Sequence, residues 1–150
     1  MTSKWIGSRL VLAIAVMTIL CATAFAHVTV SPRESTTGVS EKYTMRVPNE
    51  RAASTIRLEL EIPANVNVSY FEAKPGWKLE HKRDAKGKII TAIWSGGRIG
   101  PNEYMEFSFL GRNPADETTI TWKIIQAYDD GTQSDWTAAV NVKKPTGSQQ

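Results

Sequence analysis

Apolar side chains recur at every second position along most of this chain, and that rhythm dictates its architecture. Tyr43, Met45 and Val47 alternate with Lys42, Thr44 and Arg46. Ile56, Leu58, Leu60 and Ile62 alternate with Arg57, Glu59 and Glu61, and Trp77 and Leu79 with Lys78 and Glu80. Met105, Phe107 and Phe109 make another such row, Ile120, Trp122 and Ile124 another, and Trp136, Ala138, Val140 and Val142 the last. A period of two puts successive side chains on opposite faces, so each row is a strand with one face on a core. No stretch shows a long helical pattern with caps.

Turn chemistry separates the rows. Ser31-Pro32 and Thr37-Gly38 follow a first strand at Val28–Val30, and Pro63 ends the third. Asp84-Ala85-Lys86-Gly87 predicts a hairpin turn, Gly96-Gly97 and Gly100-Pro101-Asn102 predict further turns, and Asp129-Asp130-Gly131 joins the last two strands. The expectation is an all-β fold: a single antiparallel β-sandwich, immunoglobulin/cupredoxin-like, of about eight strands. It spans residues 27–143, and 144–150 form a polar C-terminal tail. Asn67-Val68-Ser69 matches the glycosylation triplet, a pattern common by chance.

The first 26 residues stand outside this rhythm. Lys4 and Arg9 form a basic n-region, Leu10 to Leu20 an apolar run broken only by Thr18, and Ala24-Phe25-Ala26 a small-residue cleavage site. Together they read as a secretory signal peptide, cleaved after Ala26, with a periplasmic or secreted product. The apolar run is too short for a convincing membrane span, so no stable membrane anchor is expected after cleavage. Leu20 precedes Cys21, which argues against a lipidated cysteine. Lys4 and Arg9 also account for most of the formal +3 charge, and no basic stripe suggests nucleic acid.

Cys21 is the one cysteine, and it leaves with the signal. The product has no disulfide and no thiolate, which excludes zinc-finger, iron–sulfur and blue-copper ligand sets. Two histidines remain, His27 and His81. The nucleophile elbow Gly-x-Ser-x-Gly is absent, and no phosphate-binding glycine loop leads from a strand into a helix.

Cleavage after Ala26 makes His27 the first residue. A terminal histidine offers its α-amine and imidazole Nδ1 to one metal ion in a single chelate ring. Nitrogen and oxygen donors in a tetragonal arrangement favour copper(II), which heads the divalent affinity series. A free α-amine titrates at ~7.7–8.0, so copper binding should weaken as pH falls. The competing reading is a histidine left at the cut by chance. If Val28–Val30 pairs with Tyr43–Val47, His27 lies opposite Pro48-Asn49-Glu50, and Glu50 can supply a carboxylate. Glu106, which alternates away from Met105, Phe107 and Phe109, is the competitor. Trp136 fits the core row, although an indole can also lie against a cation. Met45 and Met105 have sulfur suited to copper(I), but both fit core rows. His81 shares the Trp77–Leu79 alternation and reads as structural.

The ordered set His27-Val28-Thr29-Val30-Ser31-Pro32, Tyr43-x-x-Arg46-Val47-Pro48-Asn49-Glu50, Pro75-Gly76-Trp77, Trp94-Ser95-Gly96-Gly97, Glu106-Phe107-Ser108-Phe109 and Gln126-x-Tyr128-x-x-Gly131 resembles the YcnI-like family. The resemblance covers nearly all of the chain beyond the signal. It implies a β-sandwich holding one copper(II) ion per chain in a monohistidine brace. The family's terminal histidine maps onto His27 and its tryptophan onto Trp136. Its glutamate is carried to Glu50, with Glu106 as the alternative. The implied role is copper homeostasis as a non-catalytic chaperone or carrier, with a copper transporter or acceptor cuproprotein as partner. Two other functions compete. A copper-dependent oxidative enzyme resembling polysaccharide monooxygenases needs a second histidine, which only His81 could supply. An adhesion or interaction module is compatible with any sandwich.

Overall fold

The computed structural model describes residues 26–147. The expected signal segment apart from Ala26, and residues 148–150 of the expected tail, lie outside the described residues. Ten strands run in order: β1 (Thr29–Ser31), β2 (Glu34–Thr36), β3 (Ser40–Pro48), β4 (Thr55–Glu61), β5 (Asn67–Phe71), β6 (Lys78–Arg83), β7 (Ile89–Ile99), β8 (Tyr104–Arg112), β9 (Thr118–Tyr128) and β10 (Gln133–Lys143). A four-stranded sheet in the order β1-β3-β8-β5 faces a six-stranded sheet in the order β2-β10-β9-β4-β7-β6. The all-β sandwich expected from the alternation is what the chain forms.

The core is the sum of the alternating rows. Tyr43, Met45 and Val47 from β3, Phe107 and Phe109 from β8, and Ile120, Trp122 and Ile124 from β9 are all buried. Trp122 is the centrepiece: its ring packs 5.2 Å from Tyr43 and 5.1 Å from Phe109, centroid to centroid. Tilted and edge-on contacts of this kind suit the aromatic quadrupole and add to the burial of the rings themselves. The turns expected at Asp84–Gly87 and Asp129–Gly131 are present. Asp84 Oδ1 accepts from the Lys86 and Lys88 amides, and Gly87 takes φ +82°. Asp130 Oδ1 accepts from the Thr132 amide, and Gly131 takes φ +83°.

The two strands beyond the expected eight are β2 and β5. β2 has three residues, too few to show a period. β5 contains a bulge between Val68 and Tyr70 that breaks its alternation. β2 also supplies a parallel pairing, with the far end of β10, in a sandwich otherwise paired antiparallel among the described residues. Gly96-Gly97, expected as a turn, lies inside the continuous strand β7. Gly97 is there for space: a Cβ would fall inside the Trp77 indole, which lies directly on that backbone. Ile56, expected in the core row, is 38% exposed. A register shift between Thr55 and Arg57 turns Thr55 inward in its place.

One edge of the sandwich shapes the surroundings of the chain start. β1 pairs with β3, and the chain then crosses to the other sheet, where β2 pairs with only Asn141–Lys143 of β10. The first part of β10 therefore runs beside β1 with no strand of its own sheet on that side. Between them lies a groove of about 580 Å³, whose lining includes His27, Thr29, Arg33, Trp136 and Ala138.

Candidate metal centre

The register of the first hairpin places the chain start. Thr29 pairs with Arg46 and Val30 with Met45, so continuing outward brings His27 level with Pro48, as the sequence predicted. Val28 and Val30 are buried and pin β1 to the core, while Ala26 and His27 project into solvent. The His27 and Trp136 rings meet edge to face, with centroids 5.4 Å apart and an interplanar angle of 62°. On the other side, Glu50 Oε1 accepts a hydrogen bond from the Ala26 amide at 2.8 Å. Ala26, Pro48, Glu50, Arg51 and Trp136 contribute to the lining of a cleft of about 170 Å³, and Trp136 forms a wall of both this cleft and the larger groove.

The loop that carries Glu50 is fixed by its neighbour. Asn49 is 1% exposed. Its Nδ2 donates to the carbonyls of Ala53 and Ile99 at 2.9 and 3.0 Å, and its Oδ1 accepts from the Arg51 amide at 3.0 Å. Its backbone amide donates to the Glu103 carbonyl, and its carbonyl accepts from the Asn102 amide. Every main-chain and side-chain polar group of Asn49 is thus occupied, which offsets the cost of burying them. Arg51 closes the loop against the β9–β10 turn. Its guanidinium lies 4.5 Å from the Tyr128 ring centroid and donates to the hydroxyls of Thr132 and Ser134.

Trp136 is held from below. It is half-buried on the inner face of β10, and its Nε1–H donates to Gln126 Oε1 at 2.9 Å. Gln126 occupies a core position on β9, in line with Ile120, Trp122 and Ile124, and is fully buried. Its Nε2 donates to the Pro48 carbonyl at 3.0 Å and to Thr55 Oγ1 at 2.7 Å.

The other sequence candidates lie elsewhere. Glu106 pairs with Arg46 at 2.9 Å, both of them exposed, on the outer face of the four-stranded sheet. Arg46 stands between it and β1 in the cross-strand row Thr29–Arg46–Glu106, so the carboxylate beside the chain start is Glu50. His81 sits on β6, the far edge of the six-stranded sheet, with its ring 4.8 Å from that of Phe71. Four strand spacings separate β6 from β10, on the order of 19 Å, so His81 cannot share an ion with His27. Met45 is fully buried, and Met105 packs against the same core. Among the described residues no cluster of three or more His, Cys, Asp or Glu side chains could hold a metal. The convergence at Trp136 contains one imidazole and one carboxylate. The nitrogen of His27 is a peptide amide in the chain as it stands.

Residues 27–149 match the family model described as a domain of unknown function, DUF1775. The chain belongs to the DUF1775 family. That agrees with the YcnI-like resemblance read from the sequence. A DUF1775 relative, the copper-binding protein CutI of Bacillus subtilis (strain 168), is 35% identical over 125 residues, 83% of this chain. The alignment covers 61% of CutI, so this chain spans about three-fifths of that relative's length. Among solved structures, an uncharacterized protein from Nocardia farcinica with an immunoglobulin-like fold superimposes with a TM-score of 0.65 at 25% identity. The match covers 83% of this chain and 88% of that one. A non-cellulosomal cohesin from Archaeoglobus fulgidus superimposes at 0.52 with 12% identity, covering 80% and 92%; that likeness concerns the fold alone.

Within this DUF1775 domain, two residues at the convergence were not anticipated as contributors: Asn49 and Gln126. Both are polar residues at positions where the strand rhythm demands an apolar side chain or a strand end. That mismatch was the available signal, because a buried amide persists only where partners satisfy it.

Proposed function

We propose that this protein, once cut after Ala26, binds one copper(II) ion at His27 and carries it outside the cytoplasm without catalysing a reaction on it. The α-amine and Nδ1 of His27 supply two nitrogens, Glu50 supplies a carboxylate oxygen, and the Trp136 ring shields one side. The observation that carries this reading is the hydrogen bond from the Ala26 amide to Glu50 Oε1, one residue before His27. Removing residues 1–26 takes away that donor, frees the carboxylate and leaves the new amine beside it. Copper is the ion favoured by mixed nitrogen and oxygen donors, and the relative CutI is a copper-binding protein. One histidine and one carboxylate leave coordination positions open, which suits transfer to a transporter or an acceptor cuproprotein.

The test is calorimetric titration with copper(II) of two forms, one starting at His27 and one starting at Ala26 with its nitrogen acetylated, so that the Ala26 nitrogen stays an amide. The His27 form should bind one equivalent. The extended form, in which the nitrogen is an amide and Glu50 is occupied, should bind at least about 100-fold more weakly, a difference of roughly 2.7 kcal/mol. Equal affinities would overturn the proposal.

A further inference from the structure

The fully buried Gln126 amide is the point where both halves of the candidate centre meet. Its Oε1 faces the indole N–H of Trp136, which can only donate. Its Nε2 faces the carbonyl of Pro48, which can only accept, and the hydroxyl of Thr55. The partners therefore fix which end of the amide is oxygen and which is nitrogen, because a flipped amide would set donor against donor and acceptor against acceptor. Pro48 lies two residues before Glu50, and Asn49 between them is locked by five hydrogen bonds of its own. A rigid link thus runs from the indole, through one side chain on β9, to the base of the Glu50 loop.

From this link, and resting on the copper-carrier reading, we infer that Gln126 is a positioning residue: it sets the orientation of Trp136 and its distance from Glu50, and so the geometry in which the ion is held. Gln126 does not touch the ion. Because its oxygen takes the indole N–H, Trp136 presents ring and not N–H to the bound ion and to His27. The shielding wall is apolar for that reason, and an anion or water entering the cleft finds no indole donor. Outer-shell partners that orient metal-binding groups commonly change affinity by about 10–100-fold when removed.

The test uses the His27-starting protein and the substitutions Gln126→Leu, Gln126→Glu and Trp136→Phe. In metal-free protein, the Trp136 Nε1–H should be protected from exchange in wild type and exposed in Gln126→Leu. Gln126→Glu retains an acceptor for the indole and, buried and protonated, a donor towards the Pro48 carbonyl, so it should keep that protection even if Gln126→Leu proves too unstable to study. On adding copper(II), Gln126→Leu should bind about tenfold more weakly, with altered copper hyperfine splitting in the electron paramagnetic resonance spectrum. In a Trp136→Phe background, which has no indole N–H, the further effect of Gln126→Leu should shrink to about twofold or less. A merely structural role would lower the melting temperature while leaving the spectrum unchanged and the two substitutions additive, and that result overturns the inference. Loss of protection in Gln126→Leu with unchanged copper affinity and spectrum also overturns it, while leaving the copper reading intact. If wild type binds no copper, the copper reading fails and the role assigned to Gln126 fails with it, even where indole protection is as expected.

Discussion

The Glu50 carboxylate accepts the Ala26 amide at 2.8 Å, across the cleft that Trp136 walls, although 24 residues separate the two in the chain. Glu106, on a neighbouring strand, is held by Arg46 instead. The two glutamates therefore make a sharp comparison. If the proposed site is right, in protein starting at His27 Glu50→Gln should weaken copper(II) binding by about tenfold or more, since losing a donor should cost at least as much as losing an outer-shell partner. Glu106→Gln should leave affinity within about twofold, because an exposed ion pair contributes little. Competition titration against a chelator of known affinity reads both.

Asn49 should prove to be a stability residue with a functional consequence. Asn49→Ala leaves the buried carbonyl of Ile99 and the half-buried carbonyl of Ala53 without their donor. A buried unsatisfied group costs about 1–3 kcal/mol, so the Ile99 carbonyl sets an expected loss of roughly 1–3 kcal/mol in urea unfolding, to which the half-buried Ala53 carbonyl adds less. Copper affinity should fall as well, since the Glu50 loop loses its anchor. A loss below about 0.5 kcal/mol would mean that water takes over those carbonyls.

Gly97→Ala should be poorly tolerated, although the position is in a strand where alanine is otherwise harmless. The added methyl falls inside the Trp77 indole, which packs edge-on against Phe107 at 5.3 Å. Overpacking of this kind costs about 1–3 kcal/mol. The displaced ring should also shift tryptophan emission to the red.

His81 gives the fold a pH dependence of its own. His81 is exposed on the edge strand, but partial desolvation of its ring beside Phe71, with the nearby Arg83 charge adding to it, lowers the imidazole pKa from its ordinary value of 6.5. The unfolded chain then binds the proton more readily than the folded one. Acidification through about 6.5 favours unfolding, and stability is regained as pH rises. His81→Gln should flatten the melting temperature between pH 7 and 5 relative to wild type. A parallel decline in both proteins would assign the effect to other groups.

The rows read from alternation became strands because each residue's face is a local property: side chains two apart share a side whatever the rest of the chain does. Tyr43–Val47, Phe107–Phe109 and Ile120–Ile124 were legible for that reason. Ile56 and Gly96-Gly97 were not, because a bulge in one case and a ring from a distant loop in the other changed the local logic. β2 and β5 were too short or too irregular to carry a period.

The sequence by itself determined that this chain makes an all-β sandwich whose strands carry no thiol, and that His27 stands just before the first strand with Glu50 just past the end of the strand it pairs with. These come from period, composition and strand pairing over short distances. Only the tertiary structure decided that Trp136 leaves the simple core role to meet His27, that Arg46 withdraws Glu106, and that His81 lies at the opposite sheet edge. It also revealed Gln126 as the link between Trp136 and the Glu50 loop. Those relations depend on which strands become neighbours across long stretches of chain, and such pairings are fixed by packing the whole core rather than by any local pattern.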